Sequence, residues 1–165
     1  MKRYMIVLVA IAIVIAMVGG AYAASISETV TVTGSVSGTC KAGTDGVMSF
    51  SIVDPSASGP ILAAVATDAT VYCTKNTPFT VTASSANHVG GPASCGGSGI
   101  TGTLKDASNN LMDYTFTCGT GAGTGQGFGA GKDQTLGLGG SISSTAYATA
   151  PASTYGDTIT LTISY

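Results

Sequence analysis

The chain has 165 residues, of which 8% are charged and 44% hydrophobic, with a formal net charge of −2 and no tryptophan. Cations this few and this scattered exclude a nucleic-acid footprint, which needs a basic patch or stripe. The apolar fraction is too high for a disordered tail.

At the N-terminus, Lys2 and Arg3 precede an apolar run of 14 residues, 5–18. Gly19 and Gly20 break it, and Ala21-Tyr22-Ala23 offers small residues at a cleavage position. The pattern predicts a secretory signal peptide over 1–23, cut after Ala23. The run falls short of the roughly 20 residues a membrane span needs. The mature chain, 24–165, would lose Lys2 and Arg3 and keep four lysines against eight acids, a net charge of −4. Its length suits one domain with a proper core.

Residues 25–36 carry the first strand pattern. Ile26, Val30, Val32 and Val36 fall on one side of an alternation whose other side holds Ser27, Thr29, Thr31, Thr33 and Ser35. A period of two marks a strand with one buried face. From Ile26 to Val36 such a strand would reach about 36 Å, enough to cross a β-sandwich. Glu28 is its one charge, and Gly34 leaves a gap on the apolar side. A free strand of this kind is an aggregation hazard. It must therefore pair, either as the first strand of its own domain or with another subunit.

Strand patterns recur downstream. Met48, Phe50 and Ile52 share one face of 47–52, and Asp54-Pro55 and Ser58-Gly59-Pro60 mark turns. Residues 69–73 and 78–83 read as successive strands joined by 74–77, with Lys75-Asn76 as a tight turn. The Gly- and Ser-rich stretch 89–99 reads as a loop holding Cys95. A short strand over 100–104 and a turn over 107–110 lead into the alternation Met112, Tyr114, Phe116, Cys118. The glycine tract 119–132 reads as a surface loop. Residues 134–142 resume with Leu136 and Leu138, and the last strand puts Ile159, Leu161, Ile163 and Tyr165 on one face. No window of the mature chain keeps helical spacing for three turns. Seven or eight short strands with frequent turns predict an all-β, immunoglobulin-like antiparallel β-sandwich in one domain.

Cys40, Cys73, Cys95 and Cys118 are an even set in an exported chain, which implies two disulfides. Three pairings are open, and Cys40–Cys73 with Cys95–Cys118 is preferred. Metal binding is not expected, because no C-x-x-C pair is present and His88 is the single histidine. The glycine tract is no phosphate loop: Gly131-Lys132 is followed by Asp133, and position 126 is Gln where Gly is required. His88 has no G-x-S-x-G elbow and reads as a solvated loop residue. Asp54, Asp68, Asp106 and Asp113 read as turn and strand-end residues. No catalytic residue, cofactor or small-molecule ligand is expected.

Several segments together resemble one family. They are Cys40 with Phe50 and Asp54-Pro55, then Ala69-Thr70-Val71-Tyr72-Cys73-Thr74, then Thr77-Pro78-Phe79-Thr80-Val81-Thr82, and the terminal run from Tyr155-Gly156-Asp157 to Tyr165. In this order and spacing they resemble the spore coat protein U domain, shared by secreted coat proteins and by subunits of archaic, Csu-type chaperone–usher pili. The resemblance covers nearly all of the mature chain. It departs in the middle, around Cys95–Cys118, and near 136–142, where the Tyr-Gly-x-x-Pro of the family is missing. What it implies is an immunoglobulin-like sandwich lacking its final strand. Residues 40–165 would form that domain, and 24–39 would be a donor-strand extension whose Ile26, Val30, Val32 and Val36 enter the groove of another subunit. Ile159, Leu161, Ile163 and Tyr165 would edge the acceptor groove and meet a periplasmic chaperone. The implied partners are identical or homologous pilins, the chaperone and an outer-membrane usher, and the implied product is an extracellular, cell-surface pilus serving adhesion or biofilm formation. The alternative is a secreted coat or surface protein of the same fold that completes itself with 25–36.

Overall fold

The computed structural model of the chain describes residues 28–51, 54–97 and 99–165. The predicted signal peptide, Ile26 and Ile52 lie outside them. The chain divides into two units, Met1–Ser35 and Val36–Tyr165. In the first, residues 28–35 form no strand and are exposed throughout.

The second unit is built from short antiparallel strands. They are β1 (Cys40–Ala42), β2 (Val47–Ser49), β3 (Ile61–Leu62), β4 (Ala64–Thr67), β5 (Thr70–Cys73), β6 (Pro78–Ser85), β7 (Ala93–Ser94), β8 (Ile100–Lys105), β9 (Leu111–Cys118), β10 (Ala122–Thr124), β11 (Gln134–Thr135), β12 (Leu138–Ile142) and β13 (Ile159–Ser164). One sheet runs β10-β6-β13, with β7 also on β6, and a second runs β3-β12-β9-β8. Smaller sheets are β1-β5-β11 and the ribbon β2-β4.

The core follows from the alternation. On β6, Phe79, Val81, Ala83 and Ser85 are buried while their neighbours are half-buried or exposed. On β9, Met112, Tyr114, Phe116 and Cys118 are buried and every residue between them is exposed. A period of two allows one wet and one dry face, and the two dry faces join in one apolar cluster with Val71, Leu136, Ile142 and Tyr147. The fold is thus the all-β antiparallel sandwich that the pattern predicts. Both predicted tight turns are present, each using an asparagine in the left-handed region: Asn76 at φ 66° and Asn109 at φ 67°. Asparagine tolerates that region better than other residues with a Cβ.

Five local expectations need correction. The strand predicted over 47–52 is only the three-residue β2, because its partner β4 begins at Ala64 opposite Ser49 and offers nothing beyond. The segment 134–142 is two strands, not one. Gly137 sits at φ 60° between them, and pairing switches there from β5 to β9. The two stretches read as loops each contain a strand, β7 and β10, and both pair with β6. Backbone ladders make these pairs, and glycine and serine carry no alternation that would betray them. Residues 61–67, given no element above, form β3 and β4. A single helical turn, α1 (Ser144–Tyr147), is capped by the Ser143 hydroxyl, which accepts from the Ala146 N–H. The Tyr147 hydroxyl donates to the carbonyls of Ala57 and Gly59, pinning the loop before β3.

Candidate functional site: an open cleft beside the last strand

Among the described residues β13 pairs on one side only, with β6, from Ile159↔Ser85 to Ser164↔Thr80. Among the same residues β2 pairs only with β4. Between these two unpartnered edges lies a cleft of about 1000 Å³. Ile159, Leu161 and Ile163 form one wall, Met48 and Phe50 the other, and Tyr114, Phe116, Leu136 and Ile142 line its depth. The three isoleucine and leucine side chains of β13 alternate inward yet are only half-buried. On β6, which has neighbours on both sides, the corresponding residues are fully buried. Among the described residues β13 has no second neighbour. Its free edge keeps the N–H and C=O of about three residues without a ladder partner.

One end of the cleft is bridged. Lys105 and Gly156 exchange two backbone hydrogen bonds of 3.0 Å. Next to them the Asp157 carboxylate accepts from the Ser85 hydroxyl at 2.6 Å, the Tyr114 hydroxyl at 2.8 Å and the Asn87 amide at 3.1 Å, and from the Thr158 N–H at 2.8 Å. Asp157 therefore ties the start of β13 to β6 on one side and to β9 on the other. Burial, together with the hydrogen bond to the Asp157 carboxylate, pushes the Tyr114 hydroxyl far above its ordinary pKa of 10.0. Both effects favour the neutral phenol.

A second chain of hydroxyls lies behind. The Thr103 hydroxyl donates to Asp113 at 2.8 Å, and His88 Nδ1 lies 3.3 Å from the same oxygen. The single hydroxyl proton of Thr103 goes to Asp113, so Nδ1 is the donor to Thr103. His88 is half-buried in this network, which corrects its reading as a solvated loop residue: the Ser85 hydroxyl fixes its backbone N–H and Thr103 its ring. Asp106 accepts from the Asn110 side chain and from the N–H groups of Ser108 and Asn110, closing the β8–β9 turn. The Asn110 side chain foremost holds its carboxyl below the usual range. Asp54 makes a similar turn with Ser56, and Asp68 accepts from the Leu138 N–H at 2.7 Å.

The cysteines form two disulfides, Cys40–Cys73 and Cys95–Cys118. The first joins residues directly opposite on β1 and β5. The second joins the end of β9 to a residue whose N–H donates to Val81 of β6, so it links the two main sheets. Two disulfides belong to an oxidising, non-cytoplasmic compartment. Among the described residues no helix is long and apolar enough to cross a membrane, and no cluster of His, Cys, Asp or Glu could hold a metal ion.

Of the residues singled out above, Ile159, Leu161 and Ile163 come together in the cleft wall, whereas Tyr165 is 62% exposed and lies outside it. Val30, Val32 and Val36 are 81%, 88% and 86% exposed. The joining of Asp157, Tyr114 and Ser85, which fixes the cleft's bridged end, escaped the sequence reading, although Tyr114 was placed in an alternating strand and Asp157 in the terminal run. The one available signal was an aspartate directly before the terminal strand. No protein-family model matches the sequence, and no curated protein matches it either.

Proposed function

We propose that the chain is a structural subunit of an extracellular chaperone–usher pilus, polymerising by donor-strand exchange and supporting adhesion or biofilm formation. The observation that carries this reading is the apolar cleft along the edge of β13 that no described strand pairs with, found in a chain whose sequence also holds an alternating apolar segment over 25–36. Ile26, Val30, Val32 and Val36 have the period that a strand entering the cleft requires, and Ile159, Leu161 and Ile163 line it with the same period. Burying four such side chains is worth at most about 6–12 kcal/mol, before the entropy of association is subtracted. Strand addition to an exposed sheet edge is an established way to bind, with backbone bonds giving affinity and side-chain pockets specificity. A contact between one copy's extension and the next copy's cleft is heterologous and need not close, so it builds a filament. A periplasmic chaperone would cover the cleft during export and contact the β13 terminus near Tyr165, and an outer-membrane usher would receive the subunit. No chemistry beyond this strand exchange is assigned to the domain.

The test is the assembly state of the oxidised mature chain. Wild type is expected to form polymers that resist mild detergent and dissociate on unfolding. Val32→Asp is expected to stay monomeric with both disulfides formed, because a carboxylate in an apolar cleft costs several kcal/mol. A wild-type chain that remains a stable monomer, or a Val32→Asp chain that polymerises as readily as wild type, would overturn the reading.

A further inference from the structure

We infer that the hollow beside the first disulfide is a binding site for an acidic saccharide, taking the face of a hexuronate ring on Phe128 and Tyr72 and its carboxylate at Lys41. Apart from Ala42 the hollow shares no lining residue with the cleft, and the inference does not need the chain to polymerise. Lys41 of β1 and Tyr72 of β5 stand directly opposite one another in their ladder. Val71 and Cys73, on either side of Tyr72, are buried, so the Lys41–Tyr72 pair occupies the outer face. The Tyr72 ring is seated on backbone: a Cβ added to Gly43 would stand 2.8 Å from its Cε2.

The loop 125–132 supplies the other side, and it is fastened in place. The Gly125 N–H donates to the Thr77 carbonyl at 2.7 Å, and the Gly125 carbonyl accepts from the Asn76 N–H at 2.8 Å. The Gly127 N–H donates to the Cys73 carbonyl at 2.9 Å, and the Lys132 N–H to the Gly129 carbonyl at 3.2 Å. Gly127 at φ 102° and Gly131 at φ 69° take a backbone that a side chain disfavours. The loop is thus held on both sides of Phe128, yet it leaves that ring 52% exposed. Phe128, Tyr72, Ala42 and Ala130 give a hollow of about 470 Å³ an apolar lining, within the size range of small-ligand sites.

Charge selects the ligand. Residues 24–165 carry four lysines against eight acids. Lys41 nevertheless lines the hollow, and the Lys132 side chain lies beside its rim, 3.9 Å from where a Cβ on Gly129 would stand. Among the described residues no carboxylate lines it, and Asp133, next along the chain, stays outside the lining. An anion is drawn here and repelled by most of the remaining surface. Among the same residues the N–H groups of Phe128, Gly129 and Ala130 meet no backbone acceptor, which leaves donors for hydroxyl groups. A ring with an apolar face, a rim of hydroxyls and one carboxylate uses all of these groups together. A neutral sugar would leave Lys41 idle, and an acidic peptide would leave the aromatic pair idle.

The test is equilibrium dialysis of labelled trigalacturonate against the oxidised mature chain, which counts sites in monomer and polymer alike and so reads binding independently of strand exchange. Saturable binding is expected. Phe128→Ala is expected to weaken it about tenfold, with Phe128→Tyr close to wild type. Lys41→Gln is expected to weaken it about threefold and to remove most of its salt dependence. The methyl ester of the same trisaccharide should bind about threefold more weakly than the acid. All three variants should unfold at the wild-type midpoint, since the substituted side chains lie on the surface. Absence of saturable binding, undiminished binding by Phe128→Ala, or equal binding of acid and ester would overturn the inference. So would displacement of the sugar by polyglutamate at equal carboxylate concentration, which would make the hollow a site for acidic peptides.

Discussion

Asp157 lies within four residues of the last strand's first inward side chain, and three partner side chains converge on it. Asp157→Ala removes the acceptor of the buried Tyr114 hydroxyl and of the Ser85 hydroxyl proton. Tyr114 is 4% exposed and Ser85 8%, so water replaces neither bond without rearrangement. Each orphaned donor costs about 1–3 kcal/mol, with the upper half expected because the lost bonds are charge-assisted. Asn87 retains a second acceptor in the Gly156 carbonyl, and Ser85 still accepts from the N–H groups of His88 and Thr103. The sum is about 4–6 kcal/mol, a large part of the roughly 5–15 kcal/mol by which domains are stable. Tyr114→Phe deletes donor and orphan together and is expected to lose only about 1 kcal/mol. The assay is urea unfolding of the oxidised chain, followed by tyrosine fluorescence and repeated at two protein concentrations to separate unfolding from dissociation. The expected outcome is a midpoint lowered by about 2 M for Asp157→Ala with little change in slope, and a much smaller shift for Tyr114→Phe. A loss below about 1 kcal/mol for Asp157→Ala, or a larger loss for Tyr114→Phe than for Asp157→Ala, would refute the assignment of the clasp.

Two further outcomes are expected of the isolated domain. The Tyr114 pKa is raised in the folded state above the ordinary value of 10.0, so its contribution is complete below about pH 10 and is lost as pH rises beyond it; stability should fall in alkali, and Tyr114→Phe should flatten that fall, as followed by unfolding midpoints against pH. The disulfides close loops with separations of 33 and 23 residues, each worth about 3–4 kcal/mol by chain entropy. Full reduction is therefore expected to unfold the domain at moderate temperature, and a reduced chain melting within a few degrees of the oxidised one would contradict that estimate.

What the sequence made legible was whatever repeats with a period of two. β6, β9 and β13 each bury alternate side chains, so their faces could be read before any partner was known. The tight turns at Asn76 and Asn109 were legible for a similar local reason: a residue tolerant of positive φ stands between two alternations. β3, β4, β7 and β10 were not legible. They are two to four residues long and are held by backbone pairing, and what a backbone pairs with depends on the remainder of the chain. The clasp was hidden by distance, since Tyr114 and Ser85 lie 43 and 72 positions from Asp157. Nothing in the local run Tyr155-Gly156-Asp157-Thr158 distinguishes a buried acceptor from a solvated turn. The cleft walls divide in the same way. Ile159, Leu161 and Ile163 were named from their pattern, and so was the shared face of Met48 and Phe50, but the edge-on packing of Phe50 against Tyr114 at 5.7 Å joins residues 64 positions apart and could not be read locally.

The cleft raises a physical question of its own, because an apolar gap of this size between two strands should close by bringing them together. The way each wall is fastened answers it. β13 belongs to the β6 sheet along its whole length, and Asp157 fixes its start. The opposite wall is seated on the other sheet instead. A Cβ on Gly46 would stand 2.2 Å from the Leu138 side chain and 3.2 Å from the Ala69 N, and one on Gly140 would stand 3.1 Å from the Met48 sulfur. The backbone before β2 and Met48 itself are thus pressed onto β12 and its surroundings. For β2 to reach β13 it would have to leave that seat, breaking its ladder to β4 and exposing the contacts beneath. The walls are held by different sheets, and the gap between them is a seam that the domain's own strands cannot zip. On the strand-exchange reading proposed above, such a seam would be filled by a strand belonging to neither sheet, supplied by another copy.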